Sequence, residues 1–388
     1  MEQAYRLSNG VFQVKLLNVV AARPNFMKIA PIIRAIDNHN EICNSSPMAI
    51  NHLLVHTGQH YDYEMSRVFF DDLGLPEPNI YLRVGSGTHA EQTGRAMIEF
   101  EKILFKETPD LVIVVGDVNS TLACALTSVK LHIPVAHVEA GLRSFDRTMP
   151  EEINRLLTDA ISDYLFTPSP DADENLKREG ISKEKIFLVG DIMVDNLLYN
   201  KEKAERSEIL SSLCLTKGGY ALLTLHRPEN VDKEENLVHI FKALEKISQR
   251  IPIVFPIHPR TKKNMQNFGL TEFLDNKYIH FIEPLGYIDF LNLETNTKFV
   301  MTDSGGIQEE TSVLNIPCLT LRNSTERPIT LTQGTNTLVG RSIEKIIEGA
   351  FKILDGTGKK GNCPELWDGK TAERIIEIVC TNIIKPLE

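Results

Sequence analysis

What most constrains this chain is a regular alternation of short β-rich runs with amphipathic segments. Runs at Val14–Val20, His52–Thr57, Leu111–Val115, Pro134–Val138, Tyr164–Thr167 and Ile186–Val189 read as one series of strands. A second series runs through Tyr220–Leu225, Ile253–Ile257, Tyr278–Ile282, Phe299–Thr302, Cys318–Leu321 and Thr337–Val339. Helical patterns lie between them at Met27–Ile36, His89–Phe105, Ser120–Leu131, Asn236–Ser248 and Ile343–Leu354. A strand that is apolar at nearly every position is buried on both faces, and parallel neighbours need a helical crossover. The pattern therefore predicts an α/β protein built of doubly wound, Rossmann-like parallel sheets.

At 388 residues the two series make two domains. The charged stretch Asn200–Ser207 is the expected boundary, giving an N-terminal domain over 14–195 and a C-terminal domain over 196–370. The last helical pattern, Thr371–Ile384, fits either half. Doubly wound sheets bind ligands outside the C-terminal ends of their strands, and two such domains would share a ligand cleft.

Charge narrows the partners. There are 42 Lys and Arg against 52 Asp and Glu, a net charge of −10, and no basic stripe, which argues against nucleic acid. A small anionic ligand needs only a local cluster of cations and N–H groups. The six cysteines are scattered without a CxxC, which predicts a reducing compartment, no disulfide framework and no zinc site. The first ten residues lack a leader pattern, and no apolar run approaches a membrane span. The expectation is a cytoplasmic protein with no membrane partner.

Several turns carry chemistry. In Thr302-Asp303-Ser304-Gly305-Gly306-Ile307-Gln308-Glu309-Glu310, a strand enters a helix through two glycines. Backbone N–H groups at the positive end of a helix dipole suit a phosphate, and Glu310 could accept sugar hydroxyls. The plainer alternative is a Gly-rich turn with a solvated Glu. Near the start, Ala21-Ala22-Arg23-Pro24-Asn25-Phe26-Met27-Lys28 places Arg23 in a strand-to-helix loop and Lys28 one turn on. Together they could hold a diphosphate, although Lys28 alone reads as a solvated helix residue. There is no GxGxxG at this turn, so no dinucleotide site is expected there.

Three carboxylates converge on the first sheet's edge. Asp117 follows a strand in Gly116-Asp117-Val118-Asn119-Ser120, where helix capping is the alternative role. Glu139 ends the next strand in His137-Val138-Glu139-Ala140-Gly141, and Glu151 follows Pro150 at a helix start, where it also complements the dipole. An acidic group ending a buried strand is costly unless paired or functional, and repelling carboxylates can divide acid and base roles. In the second half, His226 and Arg227 of Leu225-His226-Arg227-Pro228-Glu229-Asn230 suit proton donation to a departing phosphate and stabilisation of its charge. His258-Pro259-Arg260 adds a cation, and Arg327 of Arg322-Asn323-Ser324-Thr325-Glu326-Arg327-Pro328 could reach the anion held at Ser304.

Taken in order, ARPNFMKIAP, HTGQHYDYEMS, GDVNSTLA, HVEAGLRSFDRTMPEEINR, LHRPEN, TDSGGIQEE and RNSTERP make the chain resemble the non-hydrolysing UDP-N-acetylglucosamine 2-epimerase family. The resemblance runs from about Val14 to about Ile378. It implies a glycosyltransferase-B-like fold whose final helix returns to the first domain. It implies inversion at C2 of the sugar, from UDP-GlcNAc to UDP-ManNAc, by elimination of UDP to 2-acetamidoglucal and re-addition, with no cofactor and no metal. It assigns Asp117, Glu139 and Glu151 to proton transfer and His226 to the glycosidic phosphate oxygen. Arg23, Lys28, Arg155, Ser304, Gly305, Gly306 and Arg327 fall to substrate or diphosphate binding, and Glu310 to the ribose. A homodimer is a further expectation of the family.

Three departures stand out. Ala21 replaces the family's usual Gly, which fits only if its φ is negative. Asn25 replaces the usual Glu, and Tyr61-Asp62-Tyr63 beside Gln59 and His60 differs from the type regulated by a second UDP-GlcNAc, so no allosteric activation is expected. The subgroup also resembles epimerases of UDP-2,3-diacetamido-glucuronic acid; Lys28–Pro31 and Glu326–Pro328 favour UDP-GlcNAc. A hydrolysing epimerase, a glycosyltransferase of the same architecture and a non-catalytic UDP-sugar sensor remain open.

Overall fold

The computed structural model describes residues 7–8, 11–12, 14–43, 49–58 and 73–383, without the side chains of residues 7–12 and Arg23. The chain forms two compact units, Met1–Asn196 with Leu366–Glu388, and Leu197–Glu365. The division falls inside a helix, Ile192–Glu205, which also contains most of the charged stretch.

Among the described residues, the first unit holds a seven-stranded parallel sheet. Its strands are β1 (Val14–Val20), β2 (Ile50–His56), β3 (Ile80–Tyr81), β4 (Leu111–Val115), β5 (Val135–Val138), β6 (Tyr164–Thr167) and β7 (Ile186–Leu188). Their order is β3-β2-β1-β4-β5-β6-β7, so the winding reverses between β1 and β4. Every residue of β4 and β5 is buried, as two covered faces demand. The chain leaves β1 and β4 towards opposite sides of the sheet, and the turns Ala21–Ala22 and Gly116–Asp117 stand at this switch point.

The second unit repeats the plan with six strands among the described residues: β8 (Ala221–Thr224), β9 (Ile253–Pro256), β10 (Ile279–Ile282), β11 (Phe299–Thr302), β12 (Cys318–Thr320) and β13 (Asn336–Leu338). Their order is β10-β9-β8-β11-β12-β13, with the reversal between β8 and β11. Leu225–Arg227 and Asp303–Gly306 therefore lie at one switch point. A cluster of buried residues, among them Leu223, Phe241, Phe255, Met301 and Ile346, packs one face of this sheet.

The twelve expected strands are present, with ends shifted by one or two residues. The two-residue β3, and an antiparallel pair of Leu7–Ser8 with Val11–Phe12, are too short to give a periodic signal. The first helix, α1, runs from Arg23 to Cys43 and not only over Met27–Ile36. Arg23 therefore opens a helix and does not lie in a loop. Pro24 in the first turn supplies a helical φ at no hydrogen-bond cost. The polar end of α1, Asp37–Glu41, hides its helical period. His39 and Cys43 at that end meet Cys380 of the last helix, with Cys380 Sγ 3.7 Å from His39 Nε2.

That last helix covers Thr371–Ile383, and Ile384 lies outside the described residues. It belongs to the first unit. Buried Asp195 caps it, accepting from Thr371 N at 3.0 Å and Ala372 N at 2.7 Å, and Trp367 Nε1 donates to Pro168 O at 2.9 Å. No helix among the described residues is long and apolar enough to cross a membrane.

A buried polar network braces the ends of β4 and β5. His137 Nδ1 stands 2.6 Å from Asp159 Oδ1, and its Nε2 stands 2.8 Å from Gly116 O. Asp159 also accepts from Gly141 N at 3.0 Å and pairs with Arg143 at 2.7 Å. Burial alone would raise the Asp159 carboxyl, but His137, Arg143 and the Gly141 N–H together hold it below the ordinary range. A depressed folded value means stability that is present above the unfolded value, about 3.9, and lost as pH falls through and below it. Asp159→Asn is expected to cost about 3–5 kcal/mol at pH 7, because it removes the charge from a fully buried network that joins His137, Arg143 and the Gly141 N–H. Urea melts at pH 7 and pH 3.5 should show the variant losing less stability between them than wild type.

Candidate functional site

At the first unit's switch point, Gly116 leaves β4 with φ +66° and turns the chain sharply. A Cβ there would stand 2.9 Å from Lys28 Nζ, 3.2 Å from Asn25 Nδ2 and 3.6 Å from Glu139 Oε2. A Cβ would crowd Lys28 and Asn25, and the positive φ itself favours glycine at this turn. Lys28, one turn into α1, is buried and forms an ion pair with Glu139. Glu139, the residue after β5, has φ +70°, a left-handed conformation that non-glycine residues adopt at a cost. The strain aims its carboxylate back over Gly116.

Asp117 is half-buried and held by Arg155 Nη1 at 2.5 Å. Arg155 itself is fixed by Glu152, Nη2 to Oε2 at 2.6 Å. Glu152 is buried and accepts from Ser144 N and Phe145 N, each at 2.9 Å. Burial pushes its carboxyl up, but those N–H groups and Arg155 leave it below the ordinary value. Arg155 is thus an internal strut, 3% exposed, between two carboxylates. Glu151 lies in the first turn of the helix Pro150–Ile161 and is exposed. Asn154 of the same helix donates to Asp117 O at 2.9 Å.

Asn25 explains one departure from the family pattern. Its Oδ1 accepts from Ala22 N at 3.1 Å and its Nδ2 donates to Val115 O at 2.9 Å. An amide joins the ends of β1 and β4, and a carboxylate could not make the second bond. Ala21 has no positive φ, so its methyl group is accommodated. The Arg23 side chain and the segment with Gln59 and His60 lie outside the described residues.

In the second unit, the turn after β11 centres on Asp303, which is fully buried. It accepts from Arg227 N at 2.9 Å, His226 N at 3.1 Å and Asn230 Nδ2 at 3.0 Å. Its Oδ1 also stands 3.1 Å from His226 Nδ1. Burial opposes the charge on Asp303, but His226, the Arg227 N–H and Asn230 outweigh it and hold the carboxyl below the ordinary range. The carboxylate can only accept, so His226 Nδ1 carries the hydrogen and Nε2 is the nitrogen left to exchange a proton. The His226 ring is 41% exposed and tilts against His258, with centroids 5.7 Å apart. His258 is exposed and caps the helix Pro259–Asn267, Nδ1 accepting from Arg260 N at 3.2 Å.

Ser304 is the cap residue of the helix Gly305–Val313, and its side chain makes no capping bond. The cup is smaller than the sequence suggests, because Ser304 N donates to Thr302 Oγ1 at 2.9 Å. A Cβ on Gly305 would stand 2.6 Å from Arg327 Nη1, so this glycine makes room for the guanidinium. Arg327 is 9% exposed, pairs with Glu309 and stands 2.9 Å from Glu326 Oε1. Arg322 and Arg227 also reach Glu326, at 2.8 and 3.4 Å. Three guanidinium groups thus gather beside a helix N-terminus, donors of the kind an anion needs. Glu310 is buried and accepts from Tyr287 Oη at 3.1 Å.

The family model for UDP-N-acetylglucosamine 2-epimerase matches residues 43–380. The chain belongs to this family. It is 48% identical over 373 residues to the UDP-N-acetylglucosamine 2-epimerase of Methanocaldococcus jannaschii, covering 94% of this chain and 99% of that protein. It is 42% identical over 347 residues to the UDP-2,3-diacetamido-2,3-dideoxy-D-glucuronate 2-epimerase of Pseudomonas aeruginosa, covering 89% and 93%. Among solved structures it resembles the M. jannaschii enzyme in complex with UDP-GlcNAc and UDP, with a TM-score of 0.86, covering 95% of this chain and 100% of that one.

From the sequence, Asp303 and Glu152 carry no assigned role, and Asn25 stands only as a departure from the family pattern. Asp303 stands inside the quoted Thr302–Glu310 motif, and an acidic residue closing an apolar strand was the signal for Glu139, so the same rule would have found it. Gly116→Ala is expected to cost about 1–3 kcal/mol from backbone strain and from displacing Lys28. Chemical denaturation of the two proteins side by side measures the loss.

Proposed function

We propose that the protein is a non-hydrolysing epimerase that interconverts UDP-GlcNAc and UDP-ManNAc. The observation that carries this is the 48% identity, over nearly the whole chain, to an M. jannaschii protein described as UDP-N-acetylglucosamine 2-epimerase. The reaction exchanges the hydrogen at C2 of the sugar and keeps the UDP. Elimination breaks the C2–H and C1–O bonds and leaves 2-acetamidoglucal and UDP. Re-addition returns a proton to the other face of C2 and the phosphate oxygen to C1.

A C2 hydrogen beside no carbonyl is poorly acidic, so C1–O cleavage leads and positive charge grows on the ring. Asp117 and Glu139 are fit to stabilise that charge and to carry the C2 proton, because Arg155 and Lys28 hold them in fixed positions. Glu151, exposed at a helix start, serves as the further proton carrier. In the second unit, the N-terminus at Ser304 with Gly305 and Gly306, and the guanidinium groups of Arg327 and Arg227, suit the diphosphate. His226, its Nδ1 tied to Asp303, is fit to protonate the departing phosphate oxygen through Nε2. Glu310 accepts the ribose hydroxyls. A homodimer in a reducing cytoplasmic compartment completes the reading; the six free thiols support the compartment, and light scattering tests the dimer.

Proton NMR of UDP-GlcNAc with enzyme in D2O tests the reaction. Signals of the manno isomer should grow while deuterium enters C2 in both isomers. Retention of the C2 proton sinks the proposal, and free ManNAc accumulating in step with UDP would select a hydrolysing enzyme. UDP-2,3-diacetamido-glucuronic acid, run in parallel, should be the poorer substrate.

Asp303→Asn separates chemistry from binding. An amide can donate to His226 Nδ1 and so place the hydrogen on the wrong nitrogen. Turnover should fall by about 10²–10⁴-fold, the range for losing a positioned proton donor, with UDP binding within a few fold of wild type. Equal loss of kcat and of UDP affinity would refute the assigned role.

A further inference from the structure

Glu310 has a second acidic neighbour that the reaction above does not use. Glu294, on the helix Tyr287–Asn296, is fully buried and faces the Glu310 carboxylate. Neither Glu294 oxygen meets an N–H or hydroxyl donor among the described residues. No salt bridge reaches either glutamate among the described residues. The other titratable groups at the pair are Tyr287, whose hydroxyl donates to Glu310 Oε1 at 3.1 Å, and Cys318 on β12. Burial pushes the Cys318 thiol up to about 12, so it is neutral. Two ionised carboxylates in contact without a cation would repel strongly in so dry a place. One proton between them turns the same contact into a short, charge-assisted hydrogen bond.

We propose that Glu294 is a protonated positioning residue: it donates its carboxyl proton to Glu310 and so fixes the Glu310 carboxylate as the acceptor for the ribose diol. The inference rests on the reading of Glu310 as the ribose residue. Tyr287 and Glu294 are seven residues apart on one helix, two turns, and so approach Glu310 from the same side. Together they take up acceptor positions on the inner side of Glu310 and leave its remaining lone pairs for a ligand. Burial and Glu310 hold the Glu294 carboxyl well above the usual range, and burial raises Glu310 to about 7. Above that value the pair carries one proton and one negative charge. Below it Glu310 takes up a second proton and loses accepting capacity, so nucleotide binding weakens as pH falls.

The test uses the whole protein with UDP and 2′-deoxy-UDP as probes. Glu294→Gln keeps a donor to Glu310 without an acidic proton; Glu294→Leu keeps the volume and removes the donor. Wild-type UDP affinity by calorimetry should fall as pH drops below about 7. In Glu294→Gln it should stay within about threefold at pH 7.5. In Glu294→Leu it should drop by about tenfold at pH 7, the effect of losing one charge-assisted hydrogen bond, and recover at higher pH. Infrared difference spectra of the free protein should show a protonated-carboxyl band at pH 7.5 that Glu294→Gln removes. Absence of that band, or both variants matching wild type at every pH, overturns the proposal. Glu310→Gln should erase the preference for UDP over 2′-deoxy-UDP. An unchanged preference with the infrared band intact would mean that the ribose reading has failed while the shared proton stands.

Discussion

A parallel sheet covered on both faces has no place along its strands for a charge. The interior strands here are largely apolar, the buried His137 of β5 being tied to Asp159 and Gly116, and the residues just past a strand's C-terminal end are where the chain can turn a carboxylate or an imidazole towards a ligand. Asp117, Glu139, His226 and Asp303 all stand within two residues of such an end. The reversal of winding, between β1 and β4 in one unit and β8 and β11 in the other, parts the loops there and makes the space that a ligand requires. The same architectural rule, used twice, thus positions both sets of polar groups.

Charges placed at that boundary are costly, and the fold meets the cost with backbone amides. Glu152 takes two N–H groups, Asp303 takes two, and Asp195 takes two at the start of the last helix. An N–H held by the chain cannot rotate away, so it fixes a carboxylate more firmly than a flexible cation does. The carboxylates so held are the ones that orient others: Glu152 holds Arg155, and Asp303 holds His226. The groups fit for chemistry lie one step further out. Where the amides are missing, at Glu294 and Glu310, a proton takes their place.

The fold was legible because its signal is repetitive. Twelve apolar runs of strand length, with helical periods lying between them, admit few arrangements. Boundaries were less legible: the polar end of α1 has no apolar period, yet it is helical because it packs on the last helix. The family motifs marked where the candidate site lies, since glycines and acids past strand ends are visible in a linear chain. Glu152 and Glu294 were not, for a shared reason. Each matters through a partner that folding brings to it, Glu294 through Glu310 sixteen positions away, and a buried glutamate inside a helix looks like a solvated one until its neighbours are known. Arg155 shows the converse. The resemblance gives it to substrate or diphosphate binding, and in the fold it joins the carboxylates of Asp117 and Glu152.

Glu139 occupies a backbone conformation that glycine would adopt with less strain. Replacing the glutamate with glycine would relax that turn, but it would also take the carboxylate from the buried Lys28, and an uncompensated buried charge costs more than the turn returns. The strained conformation is therefore kept in place by the ion pair, and relief of the turn and retention of the pair exclude one another at this one residue.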